Sequence, residues 1–287
     1  MIRLAGLLLA LSLQAAQEKR TPLPDVASHG DKVEVRKDIA FGGEAHQKLD
    51  LYLPKGDGPF PVAVCWFGGG FTGGDKSGMA KLGAFLASRG IAAAAPGYYL
   101  ADKAGERPGW PKNVHDAKAA VRFVRSKSKE WRLDASRVAA LGHSSGAYLA
   151  MMVGFTPHLK ELEGDGAAKE ESSAVLAVVD IAGVCDRRRS LGTGTVPLLG
   201  KGYEEKDDLR ALASPVVYVG AKTVPVYILH GELDKTVDVT SAKQLAEALE
   251  AAKVPHKLHV VQAGHDPISL ETMESVADWL KERLASH

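Results

Sequence analysis

Blocks of apolar residues recur along the chain and predict strands and helices in regular succession. Eight short apolar stretches predict strands, and five longer stretches with apolar residues every three or four positions predict helices. The predicted strands cover residues 32–39, 48–53, 61–66, 91–96, 137–141, 174–181, 224–230 and 257–262. The predicted helices cover residues 77–89, 111–128, 145–154, 241–252 and 268–285.

The order of these elements indicates an α/β fold. The first two predicted strands alternate between polar and apolar residues and have no helix between them, so we expect an antiparallel hairpin at a sheet edge. The later strands are nearly continuous apolar runs joined by helices, which is typical of a parallel sheet covered on both faces. The chain is therefore predicted to form a mostly parallel eight-stranded sheet with helices on both faces. Such sheets bind ligands beyond the carboxyl ends of their strands.

Residues 185–223 depart from this pattern. Glycine, proline and charged residues replace the apolar periodicity here, between two predicted sheet strands. Loops on a rigid scaffold often carry specificity, so we expect this segment to form a small cap insertion beside the site. It contains Arg187, Arg188 and Arg189, a charge run that is typical of a solvated face, although it would also attract an acidic substrate.

The first residues have the three-part pattern of a secretory signal peptide. A short basic start precedes an apolar run over residues 4–13, which is too short to span a bilayer, and Ala15 and Ala16 suit a signal peptidase. We expect a signal peptide over residues 1–16 and a single domain over residues 17–287. The mature protein would be secreted or periplasmic, with no stable membrane insertion after cleavage. A buried first helix is the alternative.

Composition and charge narrow the possible partners. The chain has 287 residues, of which 45% are hydrophobic and 25% are charged, and this suits one large α/β domain. Its 36 Lys and Arg residues nearly balance its 35 Asp and Glu residues, and the net charge of +1 argues against nucleic acid or an anionic membrane as a partner. These features do not predict the oligomeric state.

Two cysteines are too few for a disulfide framework, even in an exported protein. Cys65 and Cys185 are interpreted as buried free thiols, and a single bridge between them is the open alternative. Neither cysteine has the spacing of a metal ligand, and the ten histidines form no ligand cluster in the sequence. No metal site is therefore expected.

The run Gly142-His143-Ser144-Ser145-Gly146 has the pattern G-x-S-x-G between a predicted strand and a predicted helix. A strand that turns sharply into a helix crowds its own backbone, so both flanking positions require glycine. The strained turn would present the hydroxyl of Ser144 at the carboxyl edge of the sheet. This context predicts Ser144 as a nucleophile.

A serine nucleophile needs a base that takes its proton and an acid that orients the base. Asp234 follows the seventh predicted strand and His265 follows the eighth, so both reach the same sheet edge as Ser144. We predict His265 as the base and Asp234 as the acid. Three other carboxylates lie nearby in the sequence and are weaker candidates: Glu232, Asp238 and Asp266.

Three consecutive glycines, residues 68–70, follow the third predicted strand. Glycines let backbone N–H groups approach a substrate oxygen closely, whereas a flexible turn is the simpler alternative. At this position in an α/β-hydrolase the loop supplies half of the oxyanion hole, and the N–H group after the nucleophile, here that of Ser145, supplies the other half.

These motifs resemble, in order, the pattern of esterase/lipase α/β-hydrolases. The branch that they resemble most is the feruloyl-esterase and acetyl-xylan-esterase-like branch, which is related to hormone-sensitive-lipase-like enzymes. The resemblance spans residues 49–284 and implies the α/β-hydrolase fold. It also implies a Ser144–His265–Asp234 triad, with Gly69 and Gly70 as oxyanion donors. The matching motifs are Gly68 to Lys76, Trp110-Pro111 with Asp116 and Arg122, Gly142 to Gly146, Ala213-Ser214-Pro215, His230-Gly231 with Asp234, and Gly264-His265.

The chain departs from the family pattern at two places. Phe67 stands where the family usually has a histidine that holds the glycine loop by a hydrogen bond. The family's Tyr-Arg-Leu appears as Tyr98-Tyr99-Leu100, which removes a charged group. We expect these changes to affect the rigidity of the glycine loop and the rate of catalysis more than the class of reaction.

Together the motifs predict a secreted serine hydrolase that cleaves carboxylic esters through an acyl-enzyme and needs no cofactor. The small cap predicts an open cleft, which favours short acyl groups on carbohydrate or phenolic compounds. Phe71 and Tyr99 are the tentative substrate contacts, as exposed rings that carry the alcohol. The alternatives are an amide-cleaving relative, such as a peptidase or an arylformamidase, and a hydrolase-fold binding protein without turnover.

Overall fold

Eight strands form one sheet in the computed structural model, which describes residues 20–157, 159–189 and 194–285. The predicted signal peptide, residues 1–16, lies outside the described residues. The strands are β1 (Val33–Ala40), β2 (Lys48–Pro54), β3 (Phe60–Trp66), β4 (Ala92–Pro96), β5 (Leu133–His143), β6 (Ala177–Ile181), β7 (Val226–Gly231) and β8 (His256–Val261). The helices are α1 (Ala80–Ser88), α2 (Lys112–Ser126), α3 (Ser145–Phe155), α4 (Thr195–Leu199), α5 (Asp207–Leu212), α6 (Thr240–Ala251) and α7 (Leu270–Arg283).

The strand order is β1-β2-β4-β3-β5-β6-β7-β8. β2 is antiparallel to both β1 and β4, and every later neighbouring pair is parallel. This confirms the predicted hairpin at the edge of a mostly parallel sheet. β5 begins four residues earlier than the apolar pattern predicts, because Leu133 pairs with Phe60 across an irregularity in the register.

Helices cover both faces of the sheet. α1 and α7 share one face, where Arg89 at the end of α1 forms an ion pair with Glu274 of α7. α2 and α3 pack together on the other face, where Lys118 Nζ donates to the carbonyl oxygen of Thr156 at 2.6 Å. α3 is apolar on all sides and every one of its 11 residues is buried, as expected for a helix at the centre of the fold.

The described part of residues 185–223 contains two short helices, α4 and α5, that the sequence pattern does not predict. Leu198 and Leu199 at the end of α4 are buried. The backbone N–H of Trp110 donates to Leu198 O at 2.9 Å, and that of Gly109 donates to Pro197 O at 3.0 Å. This segment is therefore tied to the loop before α2, beyond the carboxyl ends of the strands.

Both cysteines are buried free thiols, which decides the alternative left open by the sequence. The first described residues lie against α7, where Thr21 O accepts a 2.7 Å hydrogen bond from the backbone N–H of Leu270. None of the helices in the described ranges is long and apolar enough to cross a membrane.

Candidate active site

Ser144 occupies the turn between β5 and α3. Its backbone has φ 55° and ψ −118°, in the positive-φ region that side chains rarely adopt. Its N–H donates to Ile181 O at 2.8 Å, so the end of β6 holds the turn in place. Strain of this kind persists only where the surrounding structure enforces it, and it clusters at functional sites.

The two glycines of the motif are required by close backbone contacts. A Cβ atom on Gly142 would lie 2.1 Å from Gly146 O, and a Cβ atom on Gly146 would lie 2.1 Å from Trp66 O. Neither carbonyl belongs to a side chain that could rotate away. The local sequence thus allows α3 to begin directly against the ends of β3 and β5.

The three predicted residues of the triad lie together. His265 Nε2 is 2.8 Å from Ser144 Oγ, and His265 Nδ1 is 2.7 Å from Asp234 Oδ2. Asp234 follows β7 and His265 follows β8, so neighbouring parallel strands bring them to one edge. The competing carboxylates have other partners: Glu232 pairs with Lys243, Asp238 accepts from the N–H of Thr240, and Asp266 accepts from the N–H of Ile268.

The surroundings of Asp234 favour its charged form. Burial raises its pKa, but the hydrogen bonds from His265 and from the N–H groups of Val237 and Thr236 outweigh burial and leave the pKa below its ordinary value. A carboxylate accepts only, so Nδ1 of His265 donates to it and Nε2 is free to accept the proton of Ser144. This arrangement can move a proton from serine to histidine.

Two further histidines support the loops of this site, and sequence reasoning assigned them no role in positioning. His143 Nε2 lies 2.9 Å from the carbonyl oxygen of His265, and burial lowers the pKa of His143. His230 Nε2 lies 2.9 Å from Val237 O and 3.3 Å from Asp234 Oδ2, and burial lowers its pKa as well. The sequence signal for this supporting role was the position of each histidine in its motif: His143 is next to Ser144, and His230 is near the end of β7.

The predicted oxyanion donors border the cavities at Ser144. Gly69 has φ 138°, and a Cβ atom there would lie 2.0 Å from Gly73 O, so only glycine fits. Gly69 and Gly70 line the same cavity as Ser144. Ser145 is the first residue of α3, and N–H groups in the first turn of a helix have no partner within the helix. Backbone donors from two elements can therefore converge on an oxygen bound beside Ser144.

Described residues form two cavities that border Ser144. The larger, of about 540 Å³, is lined by residues that include His265, Gly69 and Ile268. The smaller, of about 10 Å³, lies between Ser144, Ser145 and Phe71. A base that serves a leaving group must face it, so the cavity that contains His265 is the one suited to the alcohol.

The two tentative substrate residues do not form one exposed wall. Phe71 is only 1% exposed, which makes the expectation of an exposed ring wrong; the ring packs edge-on against Tyr148 and lines the smaller cavity. Tyr99 lines a separate cavity of about 740 Å³, together with Asp116, which accepts a hydrogen bond from the Tyr99 N–H at 2.8 Å. The described residues that line this separate cavity include no member of the predicted triad.

Arg187 also differs from its sequence interpretation. Arg188 and Arg189 are partly exposed and pair with Asp186, as a solvated charge run should. Arg187 is 2% exposed and lies over the rings of Phe71 and Tyr148 instead. The charge pattern alone contained no indication of this burial.

Comparison with known proteins supports the fold and the family. The chain is 28% identical over 262 residues to the probable carboxylic ester hydrolase LipM of Mycobacterium tuberculosis, and the match covers 82% of this chain and 59% of that protein. It is 28% identical over 236 residues to isoprenylcysteine alpha-carbonyl methylesterase ICME of Arabidopsis thaliana, covering 76% and 53%. The chain thus spans less than two thirds of the length of these relatives.

The solved structure of a truncated form of a carbohydrate esterase from gut microbiota matches with a TM-score of 0.82 and 23% identity, over 90% of this chain and 99% of that chain. This likeness confirms the predicted fold. The BD-FAE family matches residues 49–249, which is more than half of the sequence. The motifs, the topology and this match agree, and the chain belongs to the BD-FAE family of α/β-hydrolases.

Proposed function

We propose that this chain is an exported serine esterase that removes short acyl groups from bulky alcohols of the carbohydrate or phenolic class. The observation that carries the proposal is the continuous hydrogen-bonded path from Ser144 Oγ through His265 to Asp234, with distances of 2.8 and 2.7 Å. The names of the relatives LipM and ICME, both ester hydrolases, support the same reaction.

In the proposed reaction Ser144 Oγ attacks the ester carbonyl carbon while its proton passes to His265 Nε2. The carbonyl oxygen becomes an oxyanion and accepts hydrogen bonds from the N–H groups of Gly69, Gly70 and Ser145. The bond to the alcohol oxygen then breaks, and that oxygen takes the proton from His265. Water attacks the acyl-enzyme by the same steps and releases the acid.

The shape of the site supports a large alcohol. The leaving oxygen must lie within reach of His265 Nε2, so the alcohol occupies the cavity of about 540 Å³. That volume falls within the range of small-molecule sites. Its lining includes polar groups such as Asp75, Ser77 and Thr236, which are suited to hydroxyl groups of an alcohol.

Labelling with a fluorophosphonate probe tests the mechanism, because such probes react with an activated serine. We expect the purified domain to be labelled, Ser144→Ala to lose labelling, and Ser126→Ala, a control on α2, to keep it. Absence of labelling in a folded wild-type protein would favour a binding protein without turnover. A screen against acetylated sugars, feruloyl esters and aminoacyl amides then separates an esterase from an amide-cleaving enzyme.

Export is the second part of the proposal and rests on the signal-like pattern of residues 1–16. We expect exported protein to begin near Gln17, four residues before Thr21, whose backbone is held by Leu270. Mass spectrometry of the N-terminus of the exported protein measures this directly. A product that retains Met1 would exclude cleavage.

A further inference from the structure

The smaller cavity beside Ser144 lies where the acyl group of an ester would sit. With the alcohol on the side of His265, the remaining substituent of the carbonyl carbon must point away from that histidine. The smaller cavity meets this condition, because it borders Ser144 and Ser145 and its lining does not include His265. Its volume is about 10 Å³, close to the space that one water molecule needs.

Arg187 forms part of the wall of this cavity. Its guanidinium carbon lies 5.3 Å from the ring centroid of Phe71 and 5.0 Å from that of Tyr148. The two rings meet edge to face, with centroids 5.3 Å apart. A planar cation that lies over two aromatic rings in a buried site is held more strongly than one at the surface.

The surrounding contacts leave this wall little freedom to move. The backbone N–H of Arg187 donates to Ser214 Oγ at 2.8 Å. Phe71 has a backbone φ of 66°, and its carbonyl oxygen accepts a hydrogen bond from the Ala101 N–H at 2.8 Å. Burial lowers the pKa of Arg187 to about 10, so the side chain stays charged at neutral pH. An apolar acyl chain that extended past the cavity would meet a buried cation.

We propose that Arg187, held against Phe71 and Tyr148, closes the acyl side of the site about one methyl group beyond the carbonyl carbon and makes the enzyme selective for acetyl esters. This inference rests on the proposed function and narrows it. Arg187 would be a specificity-determining residue, since each added methylene must displace the clamped guanidinium or the ring of Phe71. Overpacking of this kind is costly in a well-packed interior.

A series of nitrophenyl esters from acetate to hexanoate tests the proposal. In the wild type we expect kcat/KM for acetate to exceed that for butyrate by at least about tenfold, a difference of about 1.4 kcal/mol in transition-state binding. Arg187→Ala and Arg187→Leu should each raise the butyrate-to-acetate ratio by at least about tenfold. Leu keeps an apolar group against the two rings, so it provides a second variant if Ala fails to fold.

The ratio is the informative measurement, because a partly unfolded preparation changes both rates by the same factor. Arg189→Ala, in the exposed part of the same turn, is the matched control and should leave the ratio unchanged. Arg187→Lys keeps the charge and most of the length and should keep most of the preference for acetate. Circular dichroism and thermal melting establish which variants are folded.

The outcomes separate this inference from the proposed function. Turnover of acetate and hexanoate at similar kcat/KM by the wild type would overturn the inference and leave the esterase intact. A butyrate-to-acetate ratio that stays within about threefold of wild type in folded Arg187→Ala and Arg187→Leu would do the same. Absence of ester turnover and of fluorophosphonate labelling would instead overturn the proposed function. If neither Arg187→Ala nor Arg187→Leu folds, the wild-type series decides, since a steep fall after acetate supports the acetyl limit.

Discussion

The rings of Phe67 and Tyr98 stack with their centroids 4.4 Å apart and their planes inclined by 23°. Phe67 stands where the family usually has a histidine, and Tyr98 precedes Tyr99, which stands where the family has an arginine. The stack explains how the glycine loop is held without the usual histidine. The Tyr98 hydroxyl donates to Phe67 O at 3.0 Å and lies 3.2 Å from Ser145 Oγ. One tyrosine therefore contacts both elements that carry the predicted oxyanion donors.

Removing this hydroxyl should affect the rate more than the fold. Tyr98→Phe keeps the stack and loses both hydrogen bonds, so we expect a loss of about 1 kcal/mol in stability and about a tenfold fall in kcat. Tyr227→Phe is the matched control, because its buried hydroxyl bonds to His259 and Ser275 outside the site. Steady-state kinetics and urea unfolding should be measured for both variants. An equal loss of activity in the two would contradict a role for the Tyr98 hydroxyl in holding the oxyanion donors.

The triad makes a prediction about non-additive effects. Ser144→Ala and His265→Ala should each lower kcat by roughly 10³ to 10⁶, and the double variant should be only slightly slower than either one, since the two groups act as a unit. Asp234→Asn should lose somewhat less. Turnover of the best ester is the measurement, and near-normal turnover by Ser144→Ala would show that the mechanism is wrong.

The tight turn at Ser144 predicts that one of its glycines tolerates no side chain. Gly146→Ala places a methyl group against the backbone of Trp66, so we expect at least about 2 kcal/mol of destabilisation or failure to fold. Gly220→Ala, where no heavy atom lies within 4 Å of the added Cβ, should stay within about 0.5 kcal/mol of wild type. Chemical denaturation of the two variants compares them directly.

Asp180 on β6 predicts a pH dependence of stability. It is fully buried, and its only hydrogen bond among the described residues comes from the Gly183 N–H to Oδ1. Burial raises the pKa of Asp180 to about 7. Between about pH 4 and pH 7 Asp180 therefore holds a proton in the folded protein that it has released in the unfolded chain, and its contribution to stability falls as the pH rises through this window.

The contribution of this one carboxyl is at most about 4 kcal/mol across the window. Asp180→Asn should remove that part of the slope, so its free energy of unfolding should rise relative to that of the wild type as the pH goes from about 4.5 to about 8. Asp208→Asn, at an exposed position on α5, is the control that should keep the wild-type slope. Equal slopes for Asp180→Asn and the wild type would contradict the assignment.

The sequence predicted those features that depend on local patterns. Apolar runs specify the strands of a buried sheet. The motif around Ser144 combines a required backbone turn with a required side chain. Both features could therefore be predicted without knowledge of tertiary contacts. Asp234 and His265 were predictable because each follows a strand whose end must lie at the same edge.

The side chains that shape the cavities were not predictable in this way. Arg187 stands in a charged run, and only the approach of Phe71 from the loop after β3 and of Tyr148 from α3 makes its burial favourable. The same packing buries Phe71. The short helix α4 was missed because five residues carry too little periodicity to separate a helix from a loop.

The complete burial of α3 has a consequence for how the enzyme would respond to salt. A helix carries partial positive charge at its N-terminus, and here that end lies at Ser145, beside the place where the oxyanion would form. Dissolved ions screen such a field only where they can approach it, and every residue of α3 is buried, with Ser145 only 4% exposed. The net charge of +1 also gives no long-range attraction that salt could weaken. Turnover of an uncharged ester should therefore be nearly independent of ionic strength.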